Sequence, residues 1–253
     1  MALADDAAVR STVGNQRVAP ATPAPAGSLV QARGGKELAA APPHDWTLPV
    51  TDELFRGIYT RSGSGTTETL AVCSAIAGEG RTTISLGLAV TLAQDFPDQR
   101  VLVVETDVQR PALATDFDVE PTPGLVDCLL GEQPVQLAYR PTYLDNLQIV
   151  PVGSAAPHAG RLMRSSRMAL ALHAMRQTHD VVILDLPPVL VNSDTLLLAD
   201  LADGVIFVVR AGVTPASLVN KAIAQLDEAK LRGVVLNGAR SSIPGWLQRL
   251  CGL

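Results

Sequence analysis

Short apolar runs alternate with longer stretches of helical spacing from about residue 69 onward. Each run is rich in Val, Leu and Ile and is bounded by polar residues, Gly or Pro. Parallel strands buried on both faces have this pattern, and helices between them complete βαβ units. The pattern predicts an α/β fold with a doubly wound, mainly parallel sheet flanked by helices. The predicted strands are 69–74, 100–105, 147–152, 180–185, 204–209 and 233–236, and the predicted helices are 82–94, 160–177 and 215–230, with shorter ones near 125–130 and 194–199.

The flanking segments differ from this central region in composition. Residues 1–43 are rich in Ala and Pro and contain no aromatic residue, so we expect a disordered arm. Residues 44–66 are expected to form a short helical lead-in and a linker, followed by one domain over 67–240. The short tail 241–253 has the Trp and Leu spacing of an amphipathic turn, which either packs on its own domain or contacts a partner or a membrane.

Composition and charge narrow the function classes. The chain has 253 residues, and because 47% of them are hydrophobic it can bury a sizeable core. Its formal net charge of −5 argues against a broad basic face, so no nucleic-acid partner is expected. The sequence has no apolar run of membrane-spanning length and no signal-peptide pattern, so the expected location is cytoplasmic.

A glycine-containing loop lies between the first predicted strand and the first predicted helix. Gly78 and Gly80 let the backbone curl and approach an anion, and the helix start presents N–H groups to a phosphate. Thr82 stands where the hydroxyl of a P-loop meets Mg²⁺. The match to the Walker A pattern GxxxxGK[ST] is imperfect, because Ala75 replaces the first Gly and Arg81 replaces the Lys.

Three acidic residues follow buried strands in the same predicted sheet. Glu105 and Asp107 come at the end of the second strand, and Asp185 ends a later one in a Walker B pattern. The carboxyl ends of parallel strands meet at one edge, which is where doubly wound folds bind their ligands. The coincidence of these acids with the glycine loop predicts a site for nucleotide and Mg²⁺.

With these motifs, the sequence resembles a known family over residues from about 50 to 238. It is similar to the cytoplasmic kinase domain of bacterial tyrosine kinases, the CpsD/CapB-type proteins of capsule and exopolysaccharide synthesis, within the MinD- and ParA-like P-loop ATPases. The segments that carry the resemblance are 78–83, 101–113, 123–127, 147–153, 180–188, 193–194, 202–205, 208–212 and 233–237.

The resemblance implies a cofactor and a set of site residues. ATP or ADP would be bound with Mg²⁺, and Asn237 would lie near the adenine. The phosphates would be held by Gly78, Glu79, Gly80, Arg81, Thr82 and Thr83. The metal ligands would be Thr82, Asp107 and Asp185, and the residues expected to act in catalysis are Arg81, Glu105, Asp107 and Asp185.

The resemblance also implies partners. Members of the family work with a membrane polysaccharide co-polymerase, a Wzz-like chain-length regulator, which would bring this chain to the inner membrane as a peripheral protein. Active members transfer the γ-phosphoryl group to tyrosines in the C-terminal tail of a neighbour and cycle through a ring-shaped homo-oligomer. A homo-oligomer is therefore one of the assemblies implied for this chain.

Two departures from the family pattern fall on the catalytic loops. Arg81 stands where the phosphate-binding Lys belongs, so a planar fork replaces a compact ammonium group. Glu105 stands where an Asp is usual, which moves the carboxylate by one methylene. The loss of one well-placed stabilising charge costs about 10² to 10³ in rate, so we expect weak turnover.

Two further departures concern the substrate and the assembly. The tyrosines are Tyr59, Tyr139 and Tyr143, so the usual transfer to tail tyrosines is not expected in this chain. The family's E-x-x-R-x-x-R assembly helix is matched by Glu53 and Arg56, but Tyr59 replaces the second Arg.

Three functions remain open. The sequence favours a degenerate nucleotide-binding regulator of exopolysaccharide or capsule synthesis, and an active ATP-dependent tyrosine kinase or ATPase is the alternative. A ParA- or MinD-like positioning ATPase is less favoured, because its early signature Lys is missing and no Lys lies between Lys36 and Lys221. A dinucleotide-dependent oxidoreductase would require GxGxxG after the first strand, which this sequence lacks.

Overall fold

Seven strands form a single sheet in the part of the chain that the computed structural model describes, residues 67–131, 133–154 and 159–239. The expectations for residues 1–66, including Glu53, Arg56 and Tyr59, and for 241–253 lie outside these residues. The strand order is β3-β4-β2-β5-β1-β6-β7; all neighbours run parallel except the two-residue β3, which is antiparallel to β4. The strands are β1 Glu68–Ser74, β2 Val101–Glu105, β3 Arg140–Pro141, β4 Leu147–Val150, β5 Val181–Asp185, β6 Gly204–Arg210 and β7 Leu231–Asn237.

Helices cover both faces of this sheet. The α-helices are α1 Arg81–Asp95, α2 Leu113–Asp116, α3 Leu125–Gly131, α4 Ala159–Met163, α5 Ser166–Arg176, α6 Asp194–Asp200 and α7 Ala216–Ile223. Two 3₁₀ turns, Val135–Ala138 and Glu228–Lys230, complete the regular structure of the described residues. The predicted doubly wound, mainly parallel α/β fold is confirmed.

The core is divided by the sheet into two layers, as the alternation of side chains along a strand requires. On the first face, residues such as Ala71, Leu102 and Phe207 pack with α3, α5 and α6. On the second face, residues such as Leu70 and Val103 pack with α1. Because both faces are covered, β1, β2 and β5 consist entirely of buried residues, which explains their uninterrupted apolar runs.

Two helix predictions are wrong in extent. The predicted helix 160–177 is broken into α4 and α5, because Ser165 is extended (φ −82°, ψ 160°) and its hydroxyl bonds back to the carbonyl of Leu162. The predicted helix 215–230 ends at Ile223. After it, the side chain of Asp227 accepts a hydrogen bond from the N–H of Ala229 and starts a separate 3₁₀ turn.

The carboxyl edge of the sheet brings the predicted site residues together. The ends of β2 and β5 are neighbours, with Glu105 paired to Asp185 in register. β1 lies on the other side of β5 and runs directly into the glycine loop at Ser74. Among the described residues, no helix is long and apolar enough to cross a bilayer.

Candidate nucleotide-binding site

The glycine loop is bent by two residues in the left-handed region. Gly78 has φ 82° and Gly80 has φ 91°, a conformation that L side chains rarely adopt. A Cβ atom on Gly80 would also collide with the Asn237 side-chain amide. Helix α1 starts at the next residue, Arg81, so the N–H groups of its first turn, which have no intrahelical acceptors, face the loop opening. Thr83 is exposed in this first turn.

The buried side chain of Glu79 fixes the loop to its surroundings. Its carboxylate accepts hydrogen bonds from the Ile76 N–H at 2.8 Å, the Arg210 N–H at 3.2 Å and the Thr214 hydroxyl at 2.6 Å. All three donors belong to the protein, so the Glu79 carboxylate ties the loop to the end of β6. Glu79 lies in the predicted phosphate loop, and its side chain holds that loop in position.

Two further contacts complete this attachment. The Arg210 guanidinium donates to the Gly78 carbonyl at 2.9 Å, and the Asn237 amide donates to the Glu79 carbonyl at 2.8 Å. Residues from the ends of β6 and β7 therefore hold the loop backbone from one side. Arg210 and Thr214 were not predicted as site residues, although Arg210 lies in segment 208–212, which carries part of the family resemblance.

Arg81 points across the site toward the ends of β2 and β5. Its side chain is buried, and Nη2 lies 3.0 Å from Asp107 Oδ2. Nη1 donates to the carbonyl of Leu186, the residue that follows β5. The planar fork of an arginine can reach both acceptors at once, which the single ammonium of a lysine does less well. The positive charge at this position is therefore paired within the protein.

Asp185 is held mainly by hydroxyl groups. Thr82 Oγ1 donates to Oδ2 at 2.6 Å, and Ser85 Oγ donates to Oδ1 at 3.2 Å. Burial raises the pKa of Asp185 to about 6, although the Thr82 hydroxyl and the nearby Arg81 charge act in the opposite direction. Ser85 was not found from the sequence, but it lies three residues after Thr82 on the same helix, the spacing that puts two side chains on one face.

Glu105 has a different environment, although it is paired with Asp185 across the sheet. Its carboxylate accepts from the N–H groups of Ala112, Leu113 and Val152, the latter two at 3.0 Å. Burial raises the pKa of Glu105, and these three main-chain hydrogen bonds oppose the rise. The Glu105 carboxylate thus joins the start of α2 to the end of β4, and its contacts are those of a structural residue.

The oxygen atoms of Thr82, Asp107 and Asp185 suit a magnesium ion that arrives with a nucleotide. Mg²⁺ prefers oxygen ligands and commonly combines one or two carboxylates with waters and substrate phosphates. Within the described ranges, no cluster of three or more His, Cys, Asp or Glu side chains forms a metal cage by itself. The donor set therefore fits a metal ion whose remaining ligands are phosphate oxygens and water.

Comparison with known proteins identifies the family. A family profile described as an AAA domain matches residues 67–231. The tyrosine-protein kinase YwqD of Bacillus subtilis is 30% identical over 177 residues, which cover 69% of this chain and 74% of YwqD. The chain belongs to the bacterial tyrosine kinase family. Nucleotide binding is implied for this chain by its place in this P-loop ATPase family.

This member of the bacterial tyrosine kinase family is also similar to a second relative and to two solved structures. The succinoglycan biosynthesis transport protein ExoP of Rhizobium meliloti is 30% identical over 191 residues, 74% of this chain but 23% of ExoP. The chimerical protein CapA2B2 superposes with a TM-score of 0.71 at 27% identity, covering 78% of this chain and 88% of the other. The septum site-determining protein MinD of Pyrococcus horikoshii, complexed with Mg-ADP, shares the fold at a TM-score of 0.57 and 22% identity, covering 73% and 77% of the two chains.

Proposed function

We propose that this member of the bacterial tyrosine kinase family is a nucleotide-binding regulator of exopolysaccharide or capsule synthesis with weak phosphoryl-transfer activity. The observation that carries the proposal is the pairing of Arg81 with Asp107 at 3.0 Å inside a site that keeps its glycine loop. The loop can cradle phosphates, while the charge that should stabilise the transferred group is already neutralised.

Binding would use main-chain groups and a small number of oxygen ligands. Gly78 and Gly80 shape the loop, and the N-terminus of α1 adds unpaired N–H groups and the positive end of the helix dipole. Thr82 and Asp185, whose Oγ1 and Oδ2 atoms lie 2.6 Å apart, would hold Mg²⁺ together with Asp107. When bound, that ion would neutralise charge on the phosphate oxygens. Asn237, which the family resemblance places near the adenine, borders Gly80 at the end of β7.

Slow transfer would follow from the position of the Arg81 guanidinium. To contact a γ-phosphate, the guanidinium must leave Asp107 and the Leu186 carbonyl, both of which it contacts in a buried setting. Separating a buried ion pair is unfavourable because each charge loses its partner. The absence of one positioned cation at the reacting phosphate costs about 10² to 10³ in rate.

The described tyrosines also favour a regulator over a self-phosphorylating kinase. Tyr139 is half-buried, its hydroxyl lies 3.2 Å from Thr178 Oγ1, and its ring packs edge-on against His179 at a centroid distance of 5.1 Å. Burial raises the pKa of the Tyr139 hydroxyl. Tyr143 is half-buried against the second core layer. Neither of these two side chains is fully exposed for transfer in a second active site.

The assignment to polysaccharide synthesis rests on the relatives. ExoP is named a succinoglycan biosynthesis transport protein, and this chain aligns with 23% of its length. We propose that a membrane polysaccharide co-polymerase is the partner, and that it recruits this protein from the cytoplasm to the inner membrane, with a homo-oligomer as one assembled form. An active kinase or ATPase is the second candidate, favoured by the retained contact between Thr82 and Asp185.

Nucleotide-dependent melting tests the binding part of the proposal. Mg·ADP at one hundred times its Kd adds about 2.7 kcal/mol of stability, which raises the melting temperature of a domain this size by roughly 5–10 °C. Asp185→Ala and Gly80→Val should abolish this rise, while Glu120→Gln, at an exposed acid, should keep it. A rise that survives both site substitutions would contradict the site assignment.

Product detection on the same protein separates the two candidate functions. With Mg·ATP, a regulator should bind nucleotide and release phosphate slowly, without phosphotyrosine on this chain. Phosphate release at rates typical of kinases, about 1–100 per second, would favour the active enzyme.

A further inference from the structure

The first face of the sheet continues onto the edge strand β7 without the cover that it has elsewhere. Phe207 and Val209 of β6 are buried on this face, with 0% and 8% exposure. Their neighbours in register on β7 are Val234 and Leu236, so these side chains point to the same side. Val234 is nevertheless 51% exposed and Leu236 is 58% exposed. The apolar layer therefore extends one strand beyond its covered part.

Helix α7 does not cover this extension. Among its eight residues only Ala222 is fully buried, while Val219 and Ile223 are partly buried against the first core layer. Val213, in the loop before α7, is 61% exposed. Val213 and Leu236 line a groove of about 660 Å³ that also includes Ala239. The groove thus has apolar walls from the β6–α7 loop and from β7.

The chain itself supplies a segment at the mouth of this groove. Asn237 is fixed to the phosphate loop through the Glu79 carbonyl, so the direction in which β7 ends is defined. Ala239, the last described residue, lines the groove, and residues 240–253 follow it directly. Trp246, Leu247 and Leu250 within this segment have the spacing of one side of a helical turn.

We propose that the segment 240–253 packs its apolar side chains onto the docking face formed by Val213, Val234 and Leu236. In doubly wound folds the element that follows a parallel strand packs back on the sheet, and here the described helices leave that position over β7 uncovered. A segment joined by a few residues to its docking face has a millimolar effective concentration, which favours it over a second copy of the chain at micromolar concentration. The docked segment would lie beside the Arg210 end of the nucleotide site.

The fluorescence of Trp246 gives a direct test, because the chain has two tryptophans and Trp46→Phe leaves Trp246 as the single reporter. In the full chain we expect blue-shifted emission and protection from acrylamide quenching, both independent of protein concentration. Val234→Thr combined with Leu236→Thr should remove the blue shift and the protection, because threonine suits a strand position but removes the apolar surface. The matched control is Leu170→Gln combined with Val191→Thr, which changes two residues with 67% and 70% exposure elsewhere and should leave the signal unchanged.

A variant in the segment guards against loss of folding in the strand variant. Leu247→Asp combined with Leu250→Asp changes no described residue, and it should remove the Trp246 blue shift while the melting transition of the domain persists. Three results would overturn the proposal: solvent-exposed emission in the starting protein, emission unchanged by both double variants, or a blue shift that appears only at high protein concentration. The last result would assign the face to a second copy of the chain.

Discussion

Glu105 and Asp185 are buried acids at the ends of adjacent strands, yet their partners differ in kind. The carboxylate of Glu105 accepts hydrogen bonds from three main-chain N–H groups, which lie in α2 and just after β4. The carboxylate of Asp185 accepts from the hydroxyls of Thr82 and Ser85. Main-chain donors are fixed by the fold, whereas a hydroxyl can rotate and expose its own oxygen to a metal ion. We therefore infer that the first acid supports the architecture and that the second belongs to the nucleotide site.

This difference separates two roles that the sequence assigned together. Both acids end a buried strand, and both lie within the family pattern for metal-linked carboxylates. Burial raises the pKa of each, so burial alone does not distinguish a ligand from a structural acid. The identity of the hydrogen-bond donors does distinguish them, and each role predicts a separate response to substitution.

Loss of the Glu105 carboxylate should give the largest effect, and it should be on stability. Glu105→Ala leaves three N–H groups without their acceptor, two of them buried and one partly buried, each worth about 1–3 kcal/mol. Glu105 also lines a cavity of about 390 Å³, where water can replace part of the lost hydrogen bonding. We therefore expect the free energy of unfolding, measured in urea, to fall by about 3 kcal/mol, the lower end of the summed range. Glu105→Gln keeps one acceptor oxygen and should lose less.

The same pair of variants should still bind nucleotide if Glu105 is structural. Mg·ADP should raise the melting temperature of folded Glu105→Gln by as much as it raises that of the starting protein. A variant that keeps its stability but loses Mg·ADP binding would place Glu105 among the metal-site residues.

Substitution of Asp185 should have the opposite effect on stability. The folded-state pKa of about 6 lies above the ordinary value of 3.8, so the folded protein binds a proton more tightly than the unfolded chain. The stability that comes from this proton is present below the unfolded pKa and is lost as pH rises through 6. Asp185→Asn removes the charge and should stabilise the nucleotide-free protein by about 2 kcal/mol at neutral and higher pH.

Urea midpoints measured near pH 4.5 and near pH 8 check the pH dependence of this gain. The advantage of Asp185→Asn over the starting protein should be small at the lower pH and larger at the higher pH. A stability gain that is equal at both pH values, or a loss of stability at the higher pH, would contradict a buried carboxylate at this position whose charge is not neutralised by an ion pair.

The smallest effect should come from loosening the loop while both acids remain in place. Glu79→Gln weakens the hydrogen bonds to Arg210 and Thr214, so part of the binding free energy must be used to order the loop. We expect the affinity for Mg·ADP to fall about three- to tenfold, which corresponds to about 1 kcal/mol for one weakened hydrogen bond. Calorimetric titration measures this change, and Glu120→Gln provides a control with the same change of charge. Affinity equal to that of the control would show that the loop does not depend on this attachment.

The sequence predicted the elements that have strong local patterns. All six predicted strands are present with ends within two residues, because strands covered on both faces are continuous apolar runs. The short β3 and α2 were missed, since two and four residues are too few for a periodic pattern. The break at Ser165 was missed because the adjacent Ser165 and Ser166 do not by themselves end a helical pattern, and only the contact of Ser165 with Leu162 shows the end of the helix.

The site could be predicted as a set of positions, but the direction of each side chain could not. The glycine loop and the acids at 105, 107 and 185 follow from strand ends and motif spacing. The pairing of Arg81 with Asp107 depends on the separation of two strand ends. One of the three donors to Glu105, the N–H of Val152, is 47 positions away. The attachment of Glu79 to Thr214 spans 135 positions. Contacts over such separations are products of the tertiary fold and have no local signature.

Phosphate release from Mg·ATP shows whether the pairing of Arg81 is what slows phosphoryl transfer. It is measured for the starting protein and for Arg81→Lys at saturating nucleotide, after calorimetry has established binding in both. The pairing of Arg81 predicts saturable binding in both proteins and at least about tenfold faster phosphate release by Arg81→Lys. A lysine contacts Asp107 and the Leu186 carbonyl together less readily than an arginine, so its charge stays available to the phosphates. No binding by the starting protein would contradict a nucleotide site at this loop, and equal release by the two proteins would contradict the paired Arg81 as the cause of slow transfer.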